Sequence, residues 1–141
     1  MSIRKIIALS VGLFCLISAG VTLAQNGGDS AHGEELFKTY CTACHNTMKG
    51  ATPDMYGVVL PLHGIVGTEA AQTKGFFYSK AMRESEIVWT EENLDKYLED
   101  PKKMIPEIRM EFVGLENQQD RLDIIAYILS TQNDDVEEET N

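Results

Sequence analysis

Two cysteines and a histidine occupy one short run, Cys41-Thr42-Ala43-Cys44-His45. The two residues between the cysteines allow both thiols to project from one helical turn, and the histidine follows directly. Thiols at this spacing can add to the two vinyl groups of one porphyrin, while the histidine binds the iron beneath the ring. The run therefore predicts covalent attachment of one haem c through Cys41 and Cys44, with His45 as an iron ligand.

Other uses of a cysteine pair fit this run less well. A thioredoxin-like redox pair would be expected near a strand, and no strand pattern leads into Cys41. A zinc site needs a second pair of ligands, and the third cysteine, Cys15, lies in the apolar N-terminal segment. In an exported protein, a single cysteine pair would ordinarily suggest a disulfide, but the histidine that follows Cys44 favours haem.

The second axial iron ligand is less determined by local pattern. Its candidates are the methionines and histidines downstream of the N-terminal segment: Met48, Met55, Met82, Met104, Met110, His32 and His63. Met48 and Met55 follow so soon after His45 that the chain is still leaving the proximal side. Met110 lies in an irregular segment beyond a helix that ends at a proline, and such a segment can reach the opposite haem face. The residues favour Met110 and leave the others open; histidine–methionine ligation would raise the reduction potential.

Three helices are predicted to position these groups. Apolar residues recur at helical spacing over residues 31–40, 90–100 and 118–130. Asp29 or Ser30, Thr90 and Asn117 are the predicted caps. Gly33 lowers helix propensity in the first helix, so it is either tolerated there or marks a close crossing of another helix.

The rest of the chain has few regular elements. Residues 46–88 are punctuated by proline and glycine, residues 102–115 are irregular in pattern, and no convincing sheet is predicted. So long a connection is unusual in a compact domain, and a large ligand that completes the core would explain it. We therefore predict an all-α fold in which three main helices and long loops wrap around one covalently bound haem.

The N-terminal segment has the features of an export signal. Arg4 and Lys5 precede an apolar run, and small residues lead to Ala24 before the polar Gln25. This pattern predicts a signal peptide over residues 1–24 and a periplasmic location; because its length approaches that of a membrane helix, an uncleaved anchor is the alternative. The other predicted divisions are a flexible lead-in over 25–30, one domain over 31–131 and an acidic, disordered tail over 132–141.

The chain resembles the class I cytochromes c of the mitochondrial and bacterial c2 type. Beside the haem motif, the resemblance rests on Gly33 and Phe37 in the first helix. It rests further on the segment GFFYSKAMRESEIVWTEENLDKYLEDPKKMIPEIRMEFVGL over residues 75–115 and on DRLDIIAYIL over residues 120–129. It covers about residues 31–130 and implies the class I cytochrome c fold.

The resemblance also implies the roles of individual residues. The haem would be held by thioethers from Cys41 and Cys44, with His45 as proximal and Met110 as distal ligand. Trp89 and Tyr78 would donate hydrogen bonds to haem propionates, and Tyr97 would lie beside the methionine sulfur. From the residues alone, these three would be ordinary buried aromatics. Where the terminal helices cross, the packing set would be Gly33, Phe37, Ile124 and Tyr127.

Several positions depart from the family pattern. Met82 stands where an asparagine is usual, Ile108 where a threonine is usual, and Thr68 where an arginine is usual. These changes remove polar partners from around the haem, so the propionate charge needs other compensation. The proline whose carbonyl orients the proximal histidine is also displaced: Leu60 takes that place, and Pro61 follows one residue later.

The charge pattern bears on partners. The formal charge is −10 and the pI is near 4.6, so the protein is a poor candidate for nucleic-acid binding, because phosphate backbones attract basic patches. On the face that meets partners in this family, the remaining bases are Lys102, Lys103 and Arg109, whereas Tyr40, Glu111 and Glu116 stand where further bases are usual. Complementary charge between partners governs their encounter rate more than their affinity. One explanation of the missing bases is therefore a partner whose surface has a different charge pattern.

We expect a soluble, monomeric periplasmic electron carrier and not an enzyme. It would move one electron between redox complexes, such as a cytochrome bc1-type complex and an oxidase, with transient contact at membrane complexes. One alternative is a dedicated electron-transfer subunit of a single periplasmic enzyme. Another is a ligand-binding or peroxidatic haem protein, which would require a weak bond between Met110 and the iron.

Overall fold

The computed structural model describes residues 27–138, with side chains described through residue 133. Its helices in chain order are α1 (Ser30–Tyr40), α2 (Lys80–Arg83), α3 (Glu91–Glu99), α4 (Pro101–Met104) and α5 (Gln118–Glu138). Two short strands, β1 (His45–Asn46) and β2 (Leu60–Pro61), form one parallel pair. Helices α1, α3 and α5 are the three main helices that were predicted. Within the described residues, no helix combines the length and the apolar character needed to cross a membrane, and the predicted signal peptide over 1–24 lies outside them.

Helix α1 begins at the predicted cap. The Asp29 carboxylate accepts hydrogen bonds from the backbone N–H groups of Ala31 and His32, at 2.9 and 3.2 Å. These are two of the donors that a helix N-terminus leaves without a partner. The backbone N–H of Asp29 donates to the carboxylate of Asp123 on α5, at 2.7 Å. The chain is therefore fastened to α5 at Asp29, directly before α1 begins; the first two residues of the lead-in predicted over 25–30 lie outside the described residues.

Helices α1 and α5 cross with their backbones in close contact. A Cβ atom at Gly33 would lie 1.9 Å from the carbonyl oxygen of Asp123, so no side chain fits at this position. The close approach allows Phe37 to pack against Ile124, and both are almost fully buried. The ring of Phe37 also lies 5.3 Å from the ring of Tyr127, centroid to centroid. Of the two interpretations of Gly33, the close helix crossing is confirmed.

Helix α3 brings a second group of apolar side chains onto α5. Thr90 caps this helix as predicted, because its hydroxyl accepts a hydrogen bond from the backbone N–H of Asn93 at 3.1 Å. The side chains of Leu94 and Tyr97 are buried and pack in one core with Trp89 and with Ile125 of α5. This core and the one around Phe37 together form the interior of the domain.

The buried Arg121 connects α5 to α3 and to the segment that precedes α5. Its Nε donates to the carboxylate of Asp95 at 2.6 Å, and its Nη1 donates to the carbonyls of Leu115 and Glu116 at 2.7 and 2.9 Å. A buried cation is tolerated only when its donors are satisfied in this way. Asn117 accepts a hydrogen bond from the backbone N–H of Gln119 at 2.9 Å, so the predicted cap of α5 is present.

Two short helices were missed in the regions predicted to be irregular. Ser79 caps α2, and Asp100 caps α4 by accepting from the backbone N–H of Lys103 at 3.0 Å. The proline that ends α3, Pro101, is also the first residue of α4, because a missing N–H is tolerated in the first helical turn. Each helix has four residues, too few for an apolar period to be recognised in the sequence.

Helix α5 is longer than predicted. It continues past residue 130 to Glu138, through part of the segment predicted to be a disordered tail over 132–141. The side-chain oxygen of Gln132 accepts a hydrogen bond from the backbone N–H of Val66 at 2.9 Å. A residue beyond the predicted helix end therefore holds the central loop, and this tertiary contact favours continuation of the helix.

Candidate haem site

The cysteine–histidine run forms a tight turn directly after α1. The backbone N–H groups of Cys44 and His45 both donate to the carbonyl of Cys41, at 3.0 and 2.9 Å. The side chain of Cys41 is partly buried beside the Phe37 core, whereas Cys44 is exposed. Burial raises the pKa of the Cys41 thiol to about 11, so this thiol is protonated at neutral pH. Both thiols lie within one turn, as the spacing predicted.

His45 is held with one ring nitrogen committed and the other available. Its Nδ1 donates to the carbonyl of Leu60 at 3.0 Å, because a carbonyl can only accept. Burial lowers the pKa of His45 and outweighs the opposing effect of this hydrogen bond, so the imidazole is neutral. The Nε2 lone pair of such an imidazole is suited to a metal ion. The carbonyl oxygen that orients His45 belongs to Leu60 and not to Pro61. This agrees with the family resemblance, which placed Leu60 where the orienting proline is usual.

The strand pair explains why Leu60 reaches this histidine. The backbone N–H of Leu60 donates to the carbonyl of Cys44 at 2.9 Å, and that of Leu62 donates to the carbonyl of Asn46 at 2.7 Å. The parallel register places His45 opposite Leu60. Although the loop between the strands is long, its return is thus fixed by the backbone against the turn that carries the thiols.

Met110 lies against the apolar core around Trp89, with Tyr97 beside its sulfur. The hydroxyl of Tyr97 donates to the Met110 Sδ at 3.9 Å. Burial raises the pKa of Tyr97 to about 12, so this hydroxyl is a neutral donor at physiological pH. Of the seven candidates for the second ligand, Met82 and Met104 also pack against this core. Met48 and Met55 are exposed.

His32 has a partner on α5. Its Nδ1 lies 2.7 Å from the carboxylate of Asp123 at the crossing of α1 and α5. The hydrogen bond to Asp123 is the main cause of the raised pKa of His32. Of the remaining candidates, Met110 is the one whose sulfur is contacted by a buried hydroxyl among the described residues.

The segment around Met110 is tied down on both sides. The guanidinium of Arg109 donates to the carbonyl of Phe77 at 3.0 Å, and Lys102 forms an ion pair with Glu111 at 3.1 Å. These contacts were missed in the sequence, because their partners are distant in the chain and follow no periodic pattern. The sequence identifies Arg109 and Lys102 only as bases of the surface.

The other aromatic residues predicted at the site fall in two places. Trp89 is almost fully buried, with its ring 4.9 Å from that of Tyr97 in an edge-to-face arrangement. Tyr78 is partly buried in the loop before α2, and its ring meets that of Phe76 at 4.7 Å. The structure therefore brings Trp89 and Tyr97 together with Met110, while Tyr78 lies on the segment that Arg109 contacts.

The family departures make the surroundings of Met110 apolar. Ile108 is buried in the core with Trp89, and Met82 packs against the same core. Thr68 is exposed, and its hydroxyl donates to the carbonyl of Ile65 at 2.7 Å. None of these three side chains brings a charge to this region.

These observations define a class of protein. A helical domain with two thiols on one turn, a neutral, partly buried histidine and a thioether against an apolar core has the donor set of a c-type cytochrome. Residues 30–132 match the sequence profile of the Cytochrome c family. The chain therefore belongs to the cytochrome c family, its cofactor is haem c, and it is a c-type cytochrome electron carrier.

Individual relatives agree with this assignment. Cytochrome c2 of Rhodomicrobium vannielii is 46% identical over 109 residues, which are 77% of this chain and 83% of that protein. Cytochrome c of Euglena viridis is 39% identical over 101 residues, 72% of this chain and 95% of that protein. The solved structure of cytochrome cH from Methylobacterium extorquens matches with a TM-score of 0.64 and 36% identity, covering 73% of this chain and 99% of that one.

Proposed function

We propose that this chain is an exported one-electron carrier whose haem c is held by Cys41 and Cys44 and ligated by His45 and Met110. The observation that supports it most strongly is the pair of prepared ligands. His45 is neutral with Nδ1 engaged by Leu60, and the Met110 sulfur receives the hydroxyl of Tyr97. When bound, haem iron supplies the reversible change between ferrous and ferric states.

The protein's part is to fix the ligands and exclude water. The Leu60 carbonyl selects the His45 tautomer that presents Nε2, and the strand pair holds this carbonyl in place. On the distal side, the hydrogen bond from Arg109 to the Phe77 carbonyl and the ion pair of Glu111 with Lys102 restrict the chain on either side of Met110. Rigid ligands keep the coordination unchanged when the charge of the iron changes, which lowers the reorganisation needed for electron transfer.

The buried aromatic groups would adjust the potential. Hydrogen bonding from Tyr97 withdraws electron density from the thioether, so Met110 stabilises ferric iron less. The apolar side chains of Met82 and Ile108 act in the same direction, because a low-dielectric environment disfavours the extra charge of the ferric state. Trp89 and Tyr78 would compensate the propionate charges by donating hydrogen bonds.

The location and the partners are part of the same proposal. The apolar run that follows Arg4 and Lys5 supports export to the periplasm. There the protein would act as a monomer without substrate chemistry of its own, exchanging electrons with a cytochrome bc1-type donor and an oxidase through transient contacts. The relatives that this chain resembles are named cytochromes c and c2, which supports a carrier over a catalyst.

The test is a redox titration of the matured protein, combined with its optical spectrum in carbon monoxide. We expect one reversible one-electron wave and no spectral change when carbon monoxide is added to the ferrous protein. In Met110→Ala the potential should fall and carbon monoxide should bind, whereas Met104→Ala should behave like the wild type. Carbon monoxide binding to the wild type would contradict the carrier and favour a ligand-binding haem protein.

A further inference from the structure

A rigid turn presents apolar side chains to solvent. The carboxylate of Asp54 accepts from the backbone N–H groups of Val58 and Val59 at 2.6 and 2.8 Å, and its carbonyl accepts from the N–H of Gly57 at 2.9 Å. The pKa of Asp54 is held below its ordinary value, chiefly by the hydrogen bond from the N–H of Val59. The carboxylate that closes the turn is therefore ionised at neutral pH. Gly57 has a φ of +65°, which favours glycine.

Phe77 lies on this turn and enlarges its apolar surface. A Cβ at Gly57 would be 2.8 Å from the Phe77 ring, which shows how closely the ring covers the backbone. The exposed fractions are 86% for Met55, 76% for Tyr56, 70% for Phe77 and 55% for Val58. We name these four residues the Phe77 patch. A contiguous group of large exposed apolar side chains commonly marks an interaction site.

Two guanidinium groups flank the Phe77 patch. Arg109 donates to the carbonyl of Phe77 at 3.0 Å, and Arg83 donates to the carbonyl of Tyr78. Neither arginine pairs with a carboxylate among the described residues. Lys80 of α2 lies 3.9 Å from the carboxylate of Glu84, so the basic groups that remain at the patch are these two arginines, on a chain whose formal charge is −10. The patch therefore has a cationic border on an otherwise acidic molecule.

These features indicate what kind of surface would cover the patch. Tyrosine, phenylalanine, methionine and arginine are the side chains enriched at the centres of protein interfaces. In a symmetric dimer the same patch would face itself and bring identical arginines together, so a second copy fits poorly. An anionic membrane would be met by a chain with a formal charge of −10, and it normally requires a larger basic cluster.

The Phe77 patch is connected to the haem ligands at both ends. Leu60, whose carbonyl orients His45, follows the turn directly after Val59. Arg109, which contacts the Phe77 carbonyl, immediately precedes Met110. A partner seated here would therefore lie beside both segments that hold the iron.

We propose that the Phe77 patch is the docking surface for a redox protein whose contact face carries apolar side chains bordered by carboxylates. This inference rests on the proposed carrier function. Recognition would combine burial of Phe77 and Tyr56 with pairing of Arg83 and Arg109 to acidic groups. The fixed turn reduces the entropy lost on docking, because its conformation does not have to be selected from many.

The test measures reduction of the haem-loaded protein by washed membranes of the source organism, with a quinol as electron source. Phe77→Ser and Tyr56→Ser should each raise KM by about fivefold or more without lowering kcat, as expected when an interface anchor is truncated. Arg83→Gln should raise KM by about twofold or more. Its matched control is Lys80→Gln, an equal charge change on α2 at a residue that faces Glu84.

Val113→Ser distinguishes this surface from a second exposed apolar residue, which lies close to Met110 in the chain. Val113 is 94% exposed, so the variant removes a comparable apolar group. An increase in KM for Val113→Ser with none for Phe77→Ser would overturn the proposal, as would equal KM values for all variants. No reduction of the wild type at all would contradict the carrier function itself.

Two further measurements exclude other occupants of the patch. Sedimentation at the assay concentration should show a monomer; a dimer that Phe77→Ser dissociates would overturn the proposal in favour of an interface between copies. Flotation with phosphatidylglycerol vesicles should leave the protein unbound. Vesicle binding that is lost in Phe77→Ser would instead identify a lipid surface, which also overturns it.

Discussion

Replacing Gly33 by alanine tests the helix crossing that organises the fold. The added Cβ would lie 1.9 Å from the carbonyl oxygen of Asp123 and 3.0 Å from the backbone nitrogen of Ile124. Because these are backbone atoms, no side-chain rotation can relieve the contact. Restoring an ordinary contact requires α1 and α5 to separate by roughly 1.5 Å, which is enough to weaken the packing between them.

The cost follows from what the crossing buries. Phe37, Ile124 and Ile128 are each at most 3% exposed, and burial of each contributes about 1.5–3 kcal/mol. Losing a quarter to a half of that contact costs about 1–4 kcal/mol. Alanine returns about 1 kcal/mol through its helix propensity. Subtracting this gain leaves an expected net destabilisation of about 0–3 kcal/mol, which overlaps the range of about 1–3 kcal/mol usual for overpacking.

Guanidinium unfolding of the haem-loaded protein, followed by far-UV circular dichroism, measures this change. The control is Gly27→Ala, since a Cβ at Gly27 meets no atom within 4 Å, and it should alter the free energy of unfolding by less than about 0.5 kcal/mol. A Gly33→Ala protein more stable than the wild type would refute the close crossing, because the gain in helix propensity would then meet no opposing cost.

Two further substitutions test the electrostatics. Tyr97→Phe removes the hydroxyl that lies 3.9 Å from the Met110 sulfur. Because this is a weak hydrogen bond, the reduction potential should fall by about 20–40 mV in a potentiometric titration. Tyr40→Phe, on the surface, is the control, and an unchanged potential in Tyr97→Phe would contradict the proposed effect of Tyr97 on the potential. His32→Gln keeps a donor for Asp123 but cannot titrate. The raised pKa of His32 stabilises the folded state below the unfolded pKa of about 6.5, and this stabilisation disappears as the pH rises through the folded pKa. Burial alone would raise the pKa of Asp123, but its hydrogen bonds, led by that from His32, lower it. The lowered pKa of Asp123 therefore stabilises the folded state above about pH 4. The wild type should therefore exceed His32→Gln in unfolding free energy at about pH 5.5 and lose this advantage by about pH 9, and an advantage that persists at the higher pH would contradict the ion pair.

Local signals predicted the main helices well. Thr90 and Asn117 cap the helices that they were expected to cap, because a cap is a contact between residues two or three positions apart. The apolar spacing around Tyr97 and Ile125 likewise identified side chains that are buried. These features depend on short-range geometry, which a single sequence contains.

Other features depend on tertiary contacts that no local pattern encodes. Arg109 reaches the Phe77 carbonyl across 32 positions, and Gln132 holds Val66 across 66. The second contact accompanies a helix that continues where composition alone suggested disorder. Similarly, the Phe77 patch arises because Gly57 allows the ring to lie on the backbone of a distant turn.

The candidate site was partly predictable for a different reason. The thiols and His45 lie in one turn, so their spacing alone indicated haem attachment. The choice of Met110 needed the family resemblance, since several methionines lie downstream of His45 in the sequence. The structure adds the contact with Tyr97, and it shows that the other methionines against the same core are Met82 and Met104.

The central claim is ligation of the haem iron by His45 and Met110, and proton NMR of the ferrous protein tests it most directly. A methionine methyl group bound to haem iron lies over the ring and gives a three-proton resonance shifted far upfield by the ring current. We expect one such resonance, absent in Met110→Ala and retained in Met104→Ala and Met82→Ala. Its persistence in Met110→Ala, or its absence from the wild type, would contradict the proposed ligation.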